Sequence, residues 1–198
     1  MVILSTLQSG RVFKFHTAAL DPNTLLVTGF QGRERISSPY RFEIDLVSRK
    51  HDLDLLSVLP SPAFLGIKQA VRLREKGRMG VQTLRIGGVL ASFEVGERDG
   101  EWSRYRAVLI PRLGRLSLGL RSRIFLDLSV PDIVRTVLKG AGLSDRDFEF
   151  RLRRPYPKRD YVAQYQESDL SFLSRLLEHD GIFYFFLQGD DGEKIVFG

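Results

Sequence analysis

Glu167, Ser168 and Asp169 stand in a row, two carboxylates around a hydroxyl. A carboxylate pair held roughly 5–9.5 Å apart across a cleft can hydrolyse a glycosidic bond. The same acidic residues at the start of a helix answer the partial positive charge of its free N–H groups. The helix-start reading carries more weight, and a peptidoglycan hydrolase using Glu167 and Asp169 stands as the alternative from another class. Glu178, His179 and Asp180 are metal-ligand types, but neighbours on a helix point in different directions and do not converge on one ion. None of the three histidines, His16, His51 and His179, has a partner at the spacing of a metal helix motif. The sequence holds no cysteine, which removes thiolate ligands and disulfides. Gly77, Gly80, Gly87 and Gly88 match no phosphate-cradling loop, and no nucleophile elbow occurs. The reading is therefore no catalytic residue, no cofactor and no metal: not an enzyme.

Thirty Lys and Arg against 24 Asp and Glu leave a net charge of +6 over 198 residues. The basic runs are Arg72, Arg74, Lys76 and Arg78, and Arg151, Arg153, Arg154, Lys158 and Arg159. Basic residues interleave with aromatics at Arg104-Tyr105-Arg106 and from Arg151 to Tyr156. Stacking platforms for single-stranded nucleic acid use such residues, but so do solvated faces of amphipathic strands, and no nucleic acid is expected. The apolar N-terminal start lacks the basic region and long apolar core of a signal peptide. No run nears the roughly 20 apolar residues of a membrane helix, so synthesis in the cytoplasm without membrane insertion is expected.

The elements that would position these residues are mostly strands. From Tyr40 to Leu46 apolar and charged residues alternate, the period of a strand with one wet face. Val12–Phe15 and Leu25–Phe30 are weaker strands around an Asp21-Pro22-Asn23 turn. Val71–Arg74 alternates, Lys76-Gly77-Arg78 reverses the chain, and Val81–Val95 follows, with a bulge or bend expected at Gly87-Gly88. Arg98-Asp99-Gly100 is a hairpin turn into Trp102–Ile110. Together these favour a barrel or strongly curled antiparallel sheet.

After Pro111 the pattern changes. Ser129-Val130-Pro131-Asp132 starts a helix, with Ser as cap and Pro in the first turn. Ile133, Val134, Val137, Leu138 and Ala141 fall on one face of it, and Gly140 and Gly142 stop it. A second helix opens at Ser168 or Asp169, carries Leu170, Leu173, Leu176 and Leu177 with Phe172 beside them, and ends at Gly181. Ile182–Leu187 is expected as a strand buried on both faces. A Gly189-Asp190-Asp191-Gly192 turn leads to Lys194–Phe197, and the ending at Gly198 reads as that of a fragment with strand edges left open. The fold class is mainly β (α+β): a barrel-like domain over 1–110, then an α/β portion with two short helices over 111–198.

From Tyr161 to Phe186 the sequence resembles the signature of the VgrG family, the spike proteins of type VI secretion. An aromatic-ended strand with Tyr165 is followed by Glu167-Ser168-Asp169, a helix with Phe172, and Gly181-Ile182 before an aromatic strand. Ser122–Phe125 with Ser129–Ile133 resembles the segment preceding it, and the resemblance extends from about Gly29. Pro60–Gly66 departs from it, as a longer link expected to be a surface loop. The resemblance implies the first hub barrel of a structural spike, with 111–198 leading into an incomplete second hub domain. It implies a homotrimer, formed through the complete hub, that caps the Hcp tube, contacts with baseplate proteins, effectors carried by downstream parts, and export by the type VI machine. A prophage tail or phage-like injection particle shares that fold and is the near alternative. Within the motif, Tyr165, Glu167, Ser168, Asp169, Phe172 and Gly181 are expected to act as scaffold: helix cap, start and stop.

Overall fold

A chain that alternates apolar and charged residues must lay its apolar side against something, and here a long antiparallel sheet curls to provide it. The computed structural model describes residues 12–72, 79–189 and 192–198. They divide into two units. One comprises residues up to Arg33 with Arg41–Ile110 and Gln188–Gly192, the other Glu34–Tyr40, Pro111–Leu187 and Glu193–Gly198.

The first unit is built on β1 (Phe13–Thr17), β2 (Leu26–Arg35), β3 (Ser38–Ser48), β4 (Pro62–Arg72), β5 (Met79–Asp99) and β6 (Trp102–Ile110), with the short helix α1 (Leu55–Val58) between β3 and β4. The sheet order is β1-β4-β5-β6-β3-β2. Phe42, Ile44 and Leu46 of β3 are buried and meet Ala107, Leu109 and Tyr105 of β6 among the buried residues. The opposite face carries the charges, where Glu43 bridges Arg41 and Arg106 at 3.2 and 3.1 Å. At the two ends of the sheet, Phe13 of β1 and Phe30 of β2 meet edge-on at 5.2 Å, so the sheet curls towards a barrel.

Three expectations change here. The Pro60–Gly66 loop is mostly strand: β4 starts at Pro62, and Ala63 and Leu65 are core residues. A proline is tolerated as the first residue of a strand. Secondly, Gly87-Gly88 forms no bulge against β4. The β4–β5 register runs unbroken from Pro62↔Val89 to Arg72↔Met79, with Gly88 at a φ of 148° that an L side chain rarely adopts. The irregularities lie further on, between Leu90 and Ser92 and between Val95 and Arg98, against β6. The Arg98-Asp99-Gly100 turn closes that hairpin, with Gly100 at φ 60°. Lys76-Gly77-Arg78 and Asp190-Asp191 lie outside the described residues, as do residues 1–11.

The second unit packs sheets on two helices. After a 3-10 turn at Arg112–Ser117 come β7 (Arg121–Leu128), α2 (Val130–Gly140), β8 (Phe148–Phe150), β9 (Arg159–Glu167), α3 (Asp169–His179), β10 (Tyr184–Gly189) and β11 (Gly192–Phe197). β7 and β9 form an antiparallel ribbon, and β10-β11-β8 a three-stranded sheet in which β11 runs parallel to β8. The core joins Val130, Ile133, Val134, Val137 and Leu138 of α2 with Phe172, Leu173, Leu176 and Leu177 of α3. The ribbon adds Phe125 and Val162, and the sheet adds Phe148, Tyr184, Ile195 and Phe197. Ser129 caps α2, Pro131 sits in its first turn, and Gly142 follows at φ 86°.

The third change concerns β10, which is not buried on both faces. It is the edge strand of its sheet, and while Ile182 and Tyr184 are buried, Phe183 and Leu187 are 45% and 41% exposed. An apolar run alone does not tell a doubly covered strand from an edge strand with one open face.

Candidate functional site

The junction of β9 and α3 gathers most of the residues singled out in the sequence. Ser168 takes extended backbone angles and its Oγ accepts from the Ser171 N–H at 3.1 Å, one of the donors a helix start leaves free. Asp169 opens α3 and is buried. Its carboxylate accepts from Arg123 at 2.5 Å and from the Gln164 amide at 2.9 Å, with Arg121 at 3.4 Å. Gln164, itself buried, also accepts from Arg123 at 2.7 Å and donates to the Glu167 carbonyl at 3.0 Å. One charged node thus ties β7, β9 and α3 together.

Glu167 has a different partner. Arg175, two turns into α3, grips its carboxylate at 2.6 and 3.1 Å and donates to the Ala163 carbonyl at 2.7 Å. The hydrogen bond with Glu167 raises the Arg175 pKa above its ordinary value. Phe172 is wholly buried, stacked on Phe125 at 5.4 Å, with the Arg175 guanidinium over its ring. Gly181 sits at φ 68° just past α3, where the Ile182 N–H closes on the Leu177 carbonyl at 2.8 Å. That is the left-handed helix stop for which glycine is suited. Tyr165 alone of the six points away from the core and is 73% exposed.

The chemistry this arrangement supports is cohesion. Each carboxylate of the Glu167–Asp169 pair is engaged by its own arginine, and neither lines the grooves found at Phe13–Phe64 or at Ile36–Phe186. A general acid must reach substrate across a cleft, and these two carboxylates are spent on arginine and amide partners instead. A second, half-buried cluster follows the same rule. Arg112 donates to Glu193 at 3.0 Å and pairs with Asp147 at 2.9 Å. Burial works against the Asp147 charge, but bonds from Ser144 and Arg112 prevail and hold its pKa below the ordinary value. His179 is exposed at the end of α3, where its ring and Arg159 both meet Asp180. Among the described residues no three His, Cys, Asp or Glu side chains gather as a metal site would need.

Sequence reasoning missed Arg123, Gln164 and Arg175, the partners that complete the junction. Arg175 lay within reach of inference, because an acid just ahead of a helix invites a base further along it. Arg123 and Gln164 come together only through the β7–β9 pairing, Arg123↔Gln164, which no local pattern marks.

The described residues thus hold a curled antiparallel sheet, a unit with two capped helices, and carboxylates each paired with an arginine. The class of the protein is shown by comparison: residues 33–198 match the model of the phage tail baseplate hub (GPD), and the chain belongs to that family. Among relatives, it is 43% identical over 173 residues to the type VI secretion system spike protein VgrG5 of Pseudomonas aeruginosa, covering 87% of this chain and 20% of that protein. It is 36% identical over 174 residues to VgrG4b of the same organism, again covering 20% of that protein. The chain therefore spans about one fifth of the curated relatives it matches. Among solved structures, it superposes on an E. coli component of the type VI secretion system described as similar to the bacteriophage T4 tail proteins gp27 and gp5. There the TM-score is 0.77 at 32% identity, over 93% of this chain and 48% of that one.

Proposed function

We propose that this chain is the hub segment of a type VI secretion spike, a structural part that assembles as a trimer and caps the Hcp tube. The observation that carries the reading is the 43% identity to a spike protein across 87% of the chain. In this reading residues 1–110 are the first hub barrel, 111–198 lead into the second, and the junction at Glu167–Asp169 is scaffold. Baseplate proteins are further partners, effectors ride on parts beyond this segment, and the protein leaves the cell through the machine it builds. No described helix is long and apolar enough to cross a membrane.

The physical logic is that a hub works through faces and edges and needs no cleft. Closed symmetry lets one chain present the same surfaces several times to a tube of matching order. The relatives at 43% and 36% identity are type VI spike proteins, which favours this machine over a phage-like particle.

The test is co-sedimentation of the purified protein with preassembled Hcp tubes. Saturable binding at tube ends is the expected result; tubes that pellet without it at every concentration would sink the reading. A peptidoglycan clearing assay serves as a counter-test. Neither the protein nor its Glu167→Gln variant should clear, and clearing that Glu167→Gln abolishes would promote a hydrolase in its place.

A further inference from the structure

The β7–β9 ribbon covers the core with one face, and among the described residues nothing covers the other. On the bare face Leu126 stands beside Tyr161 and Ile124 beside Ala163, with Tyr165 two residues further along β9. Ile124, Leu126, Tyr161 and Tyr165 are 59%, 59%, 60% and 73% exposed. Leu120, which precedes β7 at the same parity, is also exposed. No charge interrupts these rows in a chain where more than a quarter of the residues are charged. Together the five expose on the order of 700 Å², close to the roughly 800 Å² one partner brings to a standard interface. Apolar patches of that size on soluble proteins mark contact surfaces, and tyrosine is enriched in them.

The same unit carries a second, different apolar surface. Ile36, in the turn between β2 and β3, is 67% exposed, and Phe183 and Leu187 show through the open face of β10. A shallow groove of about 260 Å³ lies there, lined by Ile36, Tyr40, Phe185 and Phe186 with Glu34, Arg35 and Ser38 beside them. The Ser37 N–H donates to the Tyr184 carbonyl at 2.8 Å, which fixes the turn against β10.

We infer that the bare face of the β7–β9 ribbon of one copy seats on the Ile36–β10 surface of another copy of this chain. Three observations select a copy over other occupants. The ribbon face offers no cation, so a polyanion or an anionic membrane finds nothing to hold there. Its area is that of one half of a stable interface. And the unit carries two unlike apolar surfaces, which is what a head-to-tail contact requires: such contacts join different patches and close into rings, where a two-fold contact joins a patch to itself. The inference rests on the ring reading above and supplies its contact.

The experiment is sedimentation equilibrium of the 198-residue protein and two variants, Ile124→Asp on the ribbon and Ile36→Asp on the turn. Both positions are exposed, so folding is expected to survive, and circular dichroism melting checks that it does. Wild type should self-associate with rising concentration, and each variant should weaken association at least tenfold. Mixing the two variants should restore a one-to-one pair, because each keeps the face the other lacks. A wild type that stays monomeric at millimolar concentration overturns the contact, as do variants that associate like wild type. Variants that fail to pair when mixed also overturn it, pointing instead to a face matched to itself or to another protein. Hcp co-sedimentation separates the two ideas: pairing without tube binding sinks the ring reading and leaves the contact, and tube binding without pairing does the reverse.

Discussion

Asp169 is an acid whose surroundings have used it up. Its carboxylate is 9% exposed and faces Arg123, Gln164 and Arg121. Removing one partner of a buried pair leaves an uncompensated charge, which costs more than the pair contributes. Arg123→Ala should therefore destabilise by about 2–3 kcal/mol, less than a lone buried pair because Gln164 and Arg121 remain. Urea denaturation reads this directly, and a loss under about 0.5 kcal/mol, the scatter of ordinary surface changes, would show that the node is not cohesive. Asp147 makes a different statement, about pH. Its folded pKa lies below its ordinary value of 3.8, so the unfolded chain binds the proton more readily in that range. The stability it contributes is complete above about pH 4 to 5 and is lost as the pH falls through the folded value. Asp147→Asn should flatten the fall in melting temperature between about pH 4 and pH 2.5, and an unchanged slope would place the acid sensitivity elsewhere.

The helices of the second unit are where sequence and structure meet most closely, because their signals are local. A cap, a stripe and a glycine stop are written within one span of chain. At Gly181, φ 68° is cheap for glycine and strained for any other residue. Gly181→Ala should cost about 1–2 kcal/mol and should lower the melting temperature without altering the wild-type circular dichroism spectrum at low temperature. A neutral result would mean the stop relaxes. The strands were legible where one face is wet, as from Tyr40 to Leu46, and less so elsewhere. β7 was hidden, because Ile124, Phe125 and Leu126 run together without alternation. Two of them are exposed, and their pattern has meaning only beside β9. The start of β4 was hidden because Pro60–Gly66 reads as a surface link, whereas Pro62 here begins a strand. β10 was read as doubly buried because its apolar face towards the core and its apolar open face look alike in a linear sequence. Of the junction, the acids, the cap and the glycine could be seen, whereas the arginines that lock it required the pairing of β7 with β9.

At the scale of the molecule, two surfaces differ in charge. The outer side of the first unit carries Glu43 and Asp45 against Arg41 and Arg106, whereas the ribbon face is neutral. Salt shortens the reach of charges, to about 10 Å at 0.1 M and 3 Å at 1 M, and leaves apolar contact untouched or strengthened. The proposed contact between copies should hold its affinity from 50 mM to 500 mM sodium chloride. A fall of tenfold or more over that range would move the contact to the charged face of β3 and β6. Net charge of +6 gives no binding by itself, and a fluorescent oligonucleotide titrated across the same salts should show no saturable, salt-dependent signal.

β5 has a consequence of another kind. Over its 21 residues it pairs with β4 from Met79 to Val89 and with β6 from Val89 to Asp99, so the two ladders meet only at Val89. It behaves as a tie rod with a bracket on each half. Tension applied along it is borne by many ladder bonds at once in shear, where a pull across a hairpin would open them singly.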